Sequence, residues 1–233
     1  MCSRFILLSE LDALGKVPGF RFNDNDRICI IPVCCRSPLV TNSSSFSLLF
    51  GATGDKGKRF RDSLVSRGAK EECIFYVDYY DPCSYLNQRK ILNSQYIILP
   101  GGLMELGVKR LKETRLNILL SRFRGTIISF SAGGIMLFDK YITIPNPVYK
   151  NLEMLDGIGL LDSNQFVIDV HFDNNNNEQV EWLKKATAIF HKTIYAIEQD
   201  GFIVIDDNCI SNFSGVSVFT EDTKGMDKHH HDL

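Results

Sequence analysis

Ser131 is the side chain whose sequence context best fits a nucleophile. An apolar run with β-branched residues covers 126–130 and is typical of a buried strand, and a helical pattern resumes after the glycines at 133 and 134. A strand that turns sharply into a helix at a serine is a nucleophile elbow, which needs small neighbours. The segment Ser-Phe-Ser-Ala-Gly at 129–133 fits this pattern, with Ser129 in place of the usual first glycine. A strand-to-helix corner without a catalytic role would have the same sequence pattern.

His171 is the candidate general base for this serine. A serine hydroxyl needs a base, and the base needs an orienting partner. Outside the C-terminal tail the chain has two histidines, His171 and His191. His171 follows an apolar strand, and the strand ends of open α/β sheets collect functional sites. His191 follows an amphipathic helix, where a cation would favourably meet the helix dipole, so a structural role is expected for it.

The orienting group is expected in the segment 198–201, which follows another predicted strand. It offers the carboxylates of Glu198 and Asp200 and the amide of Gln199. Taken without the serine and the histidine, the same residues would be read as a polar turn.

Backbone N–H groups are expected to form an oxyanion hole, since such donors supply much of the catalysis in acyl transfer. Ala132 directly follows the serine and can give one N–H. Gly101 and Gly102 end the neighbouring predicted strand, and the N–H of Gly102 can give another without a side chain in the way. A Gly-Gly pair at a strand end is also a common tight turn.

Bulk composition excludes several other classes of protein. The chain has 233 residues, 44% hydrophobic residues and a net charge of −2, so nothing indicates nucleic acid or a membrane as a partner. No apolar run reaches the ~18 residues of a spanning helix, and the N-terminal run is too short for a signal peptide. The seven cysteines are odd in number and include no Cys-x-x-Cys, which favours reduced thiols in a cytoplasmic protein. No metal or cofactor is implied.

The elements that must position these residues alternate between strands and helices. Strands are predicted at 5–8, 27–35, 73–78, 95–100, 126–130, 165–172, 195–197, 202–205, 208–210 and 216–219. Helices are predicted at 55–68, 85–92, 103–112, 116–123 and across 180–190. Residues 37–45 are expected to form a surface loop and 142–159 to be irregular.

This alternation predicts a single three-layer α/β domain with a mostly parallel central sheet and helices on both faces. The domain is expected to cover 1–220. The charged tail at 221–233 is expected to be mobile.

Taken together, these segments resemble the peptidase E family of serine peptidases, which includes aspartyl dipeptidases and cyanophycinases and has a class I glutamine amidotransferase-like fold. The likeness spans roughly 25–210. It rests on Leu-Pro-Gly-Gly at 99–102, the serine motif at 129–134, His-Phe at 171–172 and the segment Tyr-Ala-Ile-Glu-Gln-Asp-Gly at 195–201. The lead-in Leu-Asp-Gly-Ile-Gly-Leu-Leu at 155–161 is also similar. The order serine, histidine, acid differs from that of the α/β-hydrolases.

The chain departs from the family pattern at three places. Ser129 replaces a glycine, Leu103 stands where the family usually has Asn, and the position of the acid is ambiguous. Aligning the flanking strands places the family's glutamate on Gln199, whereas aligning the glycine places it on Asp200. A carboxylate contact is slightly favoured, because two of the three candidates are acids.

The resemblance implies a serine-type dipeptidase that hydrolyses small peptides, with an acidic N-terminal residue as the implied preference. Ser131 would be the nucleophile and His171 the base. A catalytically weak or silent binding protein on the same scaffold is the alternative, supported by Gln199 and Leu103. A cysteine-based amidotransferase relative is disfavoured, because the elbow carries a serine. The sequence leaves the oligomeric state open, with a homodimer as one option.

Overall fold

A computed structural model describes residues 4–38, 40–51, 54–81, 84–221 and the backbone of 227–228. In these residues one nine-stranded sheet runs through the domain. The strands are Arg4–Leu8 (β1), Ile28–Ile30 (β2), Ile74–Tyr76 (β3), Tyr96–Leu99 (β4), Thr126–Phe130 (β5), Lys140–Thr143 (β6), Glu153–Asp156 (β7), Val167–Phe172 (β8), Ile194–Asp206 (β9), Cys209–Phe219 (β10) and Asp227–Lys228 (β11).

The α-helices are Ser43–Phe50 (α1), Asp55–Val65 (α2), Tyr85–Leu92 (α3), Met104–Glu113 (α4), Leu116–Arg122 (α5), Ala132–Ile135 (α6) and Asn177–Phe190 (α7). Two 3₁₀ turns are also present, Leu11–Lys16 and Glu71–Cys73. None of the helices in the described ranges is long and apolar enough to cross a membrane.

The sheet is mostly parallel, as the sequence predicts. Its strand order is β11-β10-β9-β1-β5-β4-β2-β3, and β8 pairs with β9 outside this path. The neighbours from β1 to β3 run parallel, as do β8 and β9, whereas β9 is antiparallel to both β1 and β10. Because β1, β4 and β5 point the same way, their carboxyl ends meet at one edge of the sheet.

Helical elements cover both faces of the sheet because its central strands are apolar on both sides. In β5, Ile127 packs into a core shared with α1, α4 and α5, and its neighbour Ile128 packs on the opposite face. That second face is covered by the turn containing Leu14 and by Leu64 of α2. Each fully buried side chain of this kind contributes roughly 1.5–3 kcal/mol. The prediction of a single α/β domain with a mostly parallel sheet is confirmed.

Several local expectations differ from the structure. Residues 43–50, placed within or beside a predicted loop, form α1, because Asn42 caps the helix and Phe46 and Phe50 are buried. The region 142–159 includes the end of β6 and all of β7, which pair as a hairpin. The two predicted strands at 195–197 and 202–205 form the single strand β9, and β10 pairs with both of its parts across a register shift that leaves 198–201 without a partner in β10. Of the predicted tail, 222–226 and 229–233 lie outside the described residues, and β11 pairs with β10.

Candidate active site

Ser131 lies at the junction between β5 and α6, in a backbone conformation that few residues adopt. Its φ is 52° and its ψ is −132°, a region that costs an ordinary residue of order 1–3 kcal/mol. The Ser131 N–H donates to the carbonyl of Leu8 at 2.9 Å, which ties the corner to the end of β1. The side chain is half-buried and accessible. The strain is maintained by the packed strand on one side and the short helix on the other.

Glycines surround Ser131 because other backbone segments approach it closely. A Cβ on Gly101 would lie 2.7 Å from Ser131 Cβ and 3.1 Å from its Oγ. A Cβ on Gly133 would lie 2.1 Å from the carbonyl oxygen of Leu99. Both positions therefore exclude any larger residue unless the backbone shifts.

His171 contacts Ser131 directly. Its Nε2 lies 3.0 Å from Ser131 Oγ, and its Nδ1 lies 2.9 Å from Gln199 Oε1. These are the distances that a nucleophile, a base and an orienting group require. The sequence predicts the contact between His171 and Ser131, and the structure places the two side chains accordingly.

A local irregularity in β8 aims the His171 ring at the serine. His171 has a φ of 55°, and the pairing of β8 with β9 shifts register between Asp169 and Phe172. Bulges of this kind re-aim a side chain at the end of a strand and are common beside active sites. The sequence carries no pattern that predicts this bulge.

Ser9 helps to fix the position of His171, and the sequence does not predict this role. Its buried hydroxyl donates to the carbonyl of Ile197 at 2.8 Å and accepts the backbone N–H of His171 at 2.9 Å. One side chain at the end of β1 thus joins β8 and β9 at the site. A lone serine after a strand has no distinguishing spacing, so no sequence signal was available.

Gln199, and neither neighbouring acid, is the residue in contact with His171. Side chains alternate along a strand, so Glu198 and Asp200 of β9 point away from the face that carries Gln199. Asp200 pairs with Lys16, whose hydrogen bond lowers the pKa of the Asp200 carboxyl. The Glu198 carboxylate lies over Gly215 in β10. The slight preference for a carboxylate contact is therefore not what the structure shows.

Gly102 and Ala132 lie beside Ser131 with free backbone N–H groups. Within the described residues, neither N–H donates a hydrogen bond to a protein acceptor. Gly102 has a φ of 146°, and a Cβ there would lie 2.0 Å from the carbonyl oxygen of Cys34. The next residue, Leu103, donates its N–H to that same oxygen at 2.9 Å. These two N–H groups are the donors that the sequence predicts for an oxyanion hole, and that assignment stays a prediction.

A cavity of about 770 Å³ opens next to Ser131 and His171. The segment 145–150 forms one wall, and the start of α7 forms another. Tyr149 holds its wall in place, because its hydroxyl contacts the N–H of Met104 at 3.3 Å and Glu105 Oε2 at 3.1 Å. Burial raises the pKa of Tyr149 to about 12, so this phenol stays protonated near neutral pH. The cavity is large enough for a short peptide.

Asp169 lines the same cavity, two residues before His171. Its Oδ2 accepts a hydrogen bond from Gln179 Nε2 of α7 at 3.0 Å. Burial raises the pKa of the Asp169 carboxyl to about 6, against the opposing effects of that hydrogen bond and of the nearby His171. Asp169 is not among the residues predicted from the sequence, although an acid within an otherwise apolar strand is a usable signal.

The remaining predicted residues lie away from the site. His191 ends α7 with a φ of 52°, and its Nδ1 lies 2.9 Å from Glu221 Oε1. No group of three or more potential metal ligands occurs in the parts of the chain that the structure describes. The cysteines among these residues are free: Cys29, Cys34, Cys35, Cys73 and Cys209.

The fold is that of the peptidase E-like proteins. One similar solved structure is a protein from Listeria monocytogenes EGD-e described as a candidate peptidase E, with 16% identity and a TM-score of 0.63 over 92% of this chain and 99% of that one. Another is a peptidase from an acI-B1 Actinobacterium, with 12% identity and a TM-score of 0.55 over 97% of this chain and 94% of that one. No family model and no curated protein matches the sequence. At these identities the likeness shows the fold alone.

Proposed function

We propose that the protein is a serine-type peptidase that hydrolyses small peptides, with Ser131 as the nucleophile and His171 as the general base. The observation that carries the proposal is the continuous contact from Gln199 through His171 to Ser131. The adjoining cavity offers space for a short peptide substrate. The structural neighbours that are named as peptidases add support at the level of the fold.

In the first half of the reaction, Ser131 Oγ attacks the scissile carbonyl carbon and its proton passes to His171 Nε2. The carbonyl oxygen becomes an oxyanion, which the N–H groups of Gly102 and Ala132 stabilise. The tetrahedral intermediate then collapses, the C–N bond breaks, and His171 returns the proton to the leaving amine. The products of this half are an acyl-enzyme and a free amine.

In the second half, water replaces the leaving amine beside His171. The imidazole takes a proton from the water molecule while the water oxygen attacks the carbonyl carbon of the ester. The same two N–H groups stabilise the new oxyanion. Breaking the ester bond returns the proton to Ser131 Oγ and releases a carboxylic acid. No metal or cofactor takes part in these steps.

Gln199 makes this arrangement weaker than one with a carboxylate. Its Oε1 accepts the Nδ1–H of His171, which leaves Nε2 free to accept the Ser131 proton. An amide carries no charge that could neutralise the imidazolium that then forms. If the amide group rotates, its NH₂ donates to Nδ1 and holds His171 in the opposite tautomer. In the serine protease template, replacing the acid by an amide costs about 10⁴ in turnover. The native activity is therefore expected to be low.

A binding protein on the same scaffold is the second candidate, and the contact between Gln199 and His171 is the observation that favours it. Such a protein would hold a peptide in the cavity without turning it over. The strained Ser131 and the two free N–H groups argue against it, because a binding function requires neither.

Hydrolysis of a panel of dipeptides tests the proposal. The free amino acids released by the native protein are compared with those released by Ser131→Ala and His171→Ala. Ser121→Ala, at an exposed serine on α5, is the control. The proposal expects cleavage by the native protein and the control and none by the two site variants. Equal rates in all four proteins, or no hydrolysis in any of them, would contradict it.

A further inference from the structure

A second recess, of about 410 Å³, opens next to Ser131 and His171. Residues 9–12 form one wall of it and helix α2 forms the other. Gly102, Ser131 and His171 line both this recess and the cavity bordered by 145–150. A peptide whose scissile carbonyl lies at Ser131 therefore has space for a residue on each side of the bond, and the volume of the recess is in the range of ligand pockets.

The charges in the recess favour an anion at one point, the guanidinium of Arg59. Arg59 lines the recess, is exposed, and forms no ion pair with any residue that the structure describes. Of the two carboxylates in the opposite wall, Asp12 is already paired with Arg67, whose Nη2 lies 2.7 Å from Asp12 Oδ1. The other carboxylate, Glu10, is exposed to solvent. Arg59 is thus available to bind a negatively charged substrate group.

Helix α2 packs beside the serine corner, which gives Arg59 a defined place relative to the scissile bond. Phe60 directly follows Arg59, Phe130 directly precedes Ser131, and the centroids of the two aromatic rings are 6.1 Å apart. Arg59 and Ser63 are one helical turn apart and share the face of α2 that lines the recess. The C-terminal carbon of a leaving residue is three bonds from the scissile carbonyl carbon, roughly 3–4 Å away. A carboxylate of that residue can therefore lie in the recess with Arg59.

The cavity on the other side of Ser131 is less suited to a carboxylate. Its charged lining residues are Asp169, Glu178 and Lys150. Glu178 and Lys150 are exposed, whereas Asp169 is partly buried. A substrate carboxylate beside Asp169 would bring two like charges together in a partly buried site, which is unfavourable. The charge distribution therefore favours the recess for a carboxylate of the substrate.

We propose that Arg59 determines specificity by binding a carboxylate of the leaving residue, which in a dipeptide is its C-terminal carboxylate. A guanidinium can donate two parallel hydrogen bonds to one carboxylate, so it fixes the orientation of the group as well as its charge. The protein then selects dipeptides over peptides that carry no charge on the leaving residue. This inference rests on the proposed function, since it places the carboxylate relative to the bond that Ser131 cleaves.

Three matched pairs of probes isolate this carboxylate. Ala-Ala and Asp-Ala are each compared with their C-terminal amides, and the two N-terminal residues keep the comparison independent of the preference at that position. Ala-Asp amide is compared with Ala-Asn amide, which tests a side-chain carboxylate of the leaving residue as the source. Binding is measured by calorimetry at pH 7.5 to Ser131→Ala, which holds the probes without cleaving them.

The same titrations are repeated with Ser131→Ala combined with Arg59→Gln. Ser131→Ala combined with Lys58→Gln is the matched control, because Lys58 is an exposed cation next to Arg59 that lies outside the lining of the recess. We expect the carboxylate probe to bind about 10-fold or more tightly than its neutral partner in at least one pair. Arg59→Gln should abolish this preference, and Lys58→Gln should leave it unchanged.

Three results would overturn the inference. They are equal binding within all three pairs, a carboxylate preference that survives Arg59→Gln, and no binding of any probe. Failure of the proposed function looks different: the native protein would bind a carboxylate probe with the expected dependence on Arg59 and yet would not hydrolyse it.

Discussion

Gln199 is the residue at which the site differs most from an efficient serine peptidase. Replacing it with glutamate keeps the length of the side chain and supplies the charge that stabilises the His171 imidazolium. We expect Gln199→Glu to raise kcat for dipeptide hydrolysis by at least about tenfold, within an upper bound of roughly 10⁴. Asp200→Asn is the control, since that side chain pairs with Lys16 instead. A Gln199→Glu variant with unchanged or reduced kcat would show that this contact does not limit turnover.

Asp169 is expected to make stability depend on pH. The folded protein holds the Asp169 proton up to about pH 6, whereas the unfolded chain releases it near pH 4. The folded state therefore binds more protons between these values, and stability falls as pH rises through this window. His171, Glu178 and Lys150 also line the cavity, and they are the same in the native protein and in an Asp169→Asn variant.

Asp169→Asn should remove this loss of stability. Above about pH 6 we expect the variant to be more stable than the native protein, by an amount on the order of 1–3 kcal/mol. The difference should shrink towards pH 4. Urea unfolding at pH 4 and at pH 7.5 measures it, and a difference that does not change with pH would refute the expectation.

The residues of the site differ in how far the sequence predicts them. The sequence predicts Ser131 from the small residues around it, and it predicts His171 from the apolar strand that precedes it. The sequence does not predict which of Glu198, Gln199 and Asp200 contacts His171. The strand before them is apolar on both faces, so its pattern does not show on which face each following side chain lies. Ser9 is unpredictable because its partners, Ile197 and His171, are more than 160 residues away in the chain.

At the scale of elements, Ser9 joins the ends of β1, β8 and β9 and thereby holds His171. Ser9→Ala leaves a buried carbonyl and a backbone N–H without a partner, which should cost about 1–3 kcal/mol of stability for each group left unpaired. The His171 ring should also lose its alignment, so kcat should fall while KM changes little. Ser211→Ala, at a hydroxyl on the far part of β10, is the control for both measurements. An unchanged kcat in Ser9→Ala would mean that the bulge in β8 positions His171 without Ser9.

Elements differ in the same way in how well the sequence predicts them. The central strands β1, β4 and β5 are apolar on both faces and are predicted close to their observed bounds. Helix α1 begins with three consecutive serines, which are typical of a loop. The burial of Phe46 and Phe50 in the core stabilises the helix. Strand β9 reads as two strands because Gly201 interrupts its apolar pattern, although β10 pairs on both sides of it.

Strand β9 connects two regions of the whole molecule that different helical elements cover. Its first half pairs with β8 beside α7, and its second half pairs with β1 at the centre of the sheet. We therefore expect one cooperative unfolding transition. Trp182, the single tryptophan, packs against the core around α7 and reports on that region.

Urea unfolding followed by Trp182 fluorescence should then coincide with unfolding followed by far-ultraviolet circular dichroism. Transitions with different midpoints would show that the region around α7 unfolds as a separate unit.

The covalent reactivity of Ser131 shows whether this serine is an activated nucleophile. The protein is treated with a fluorophosphonate, and the intact mass and the modified peptide are determined for the native chain, Ser131→Ala, His171→Ala and Ser121→Ala. We predict one adduct per chain on Ser131 in the native protein and in Ser121→Ala, no adduct in Ser131→Ala, and a strongly slowed reaction in His171→Ala. No adduct on the native chain, or an adduct that persists in Ser131→Ala, would contradict the assignment of Ser131 as an activated nucleophile.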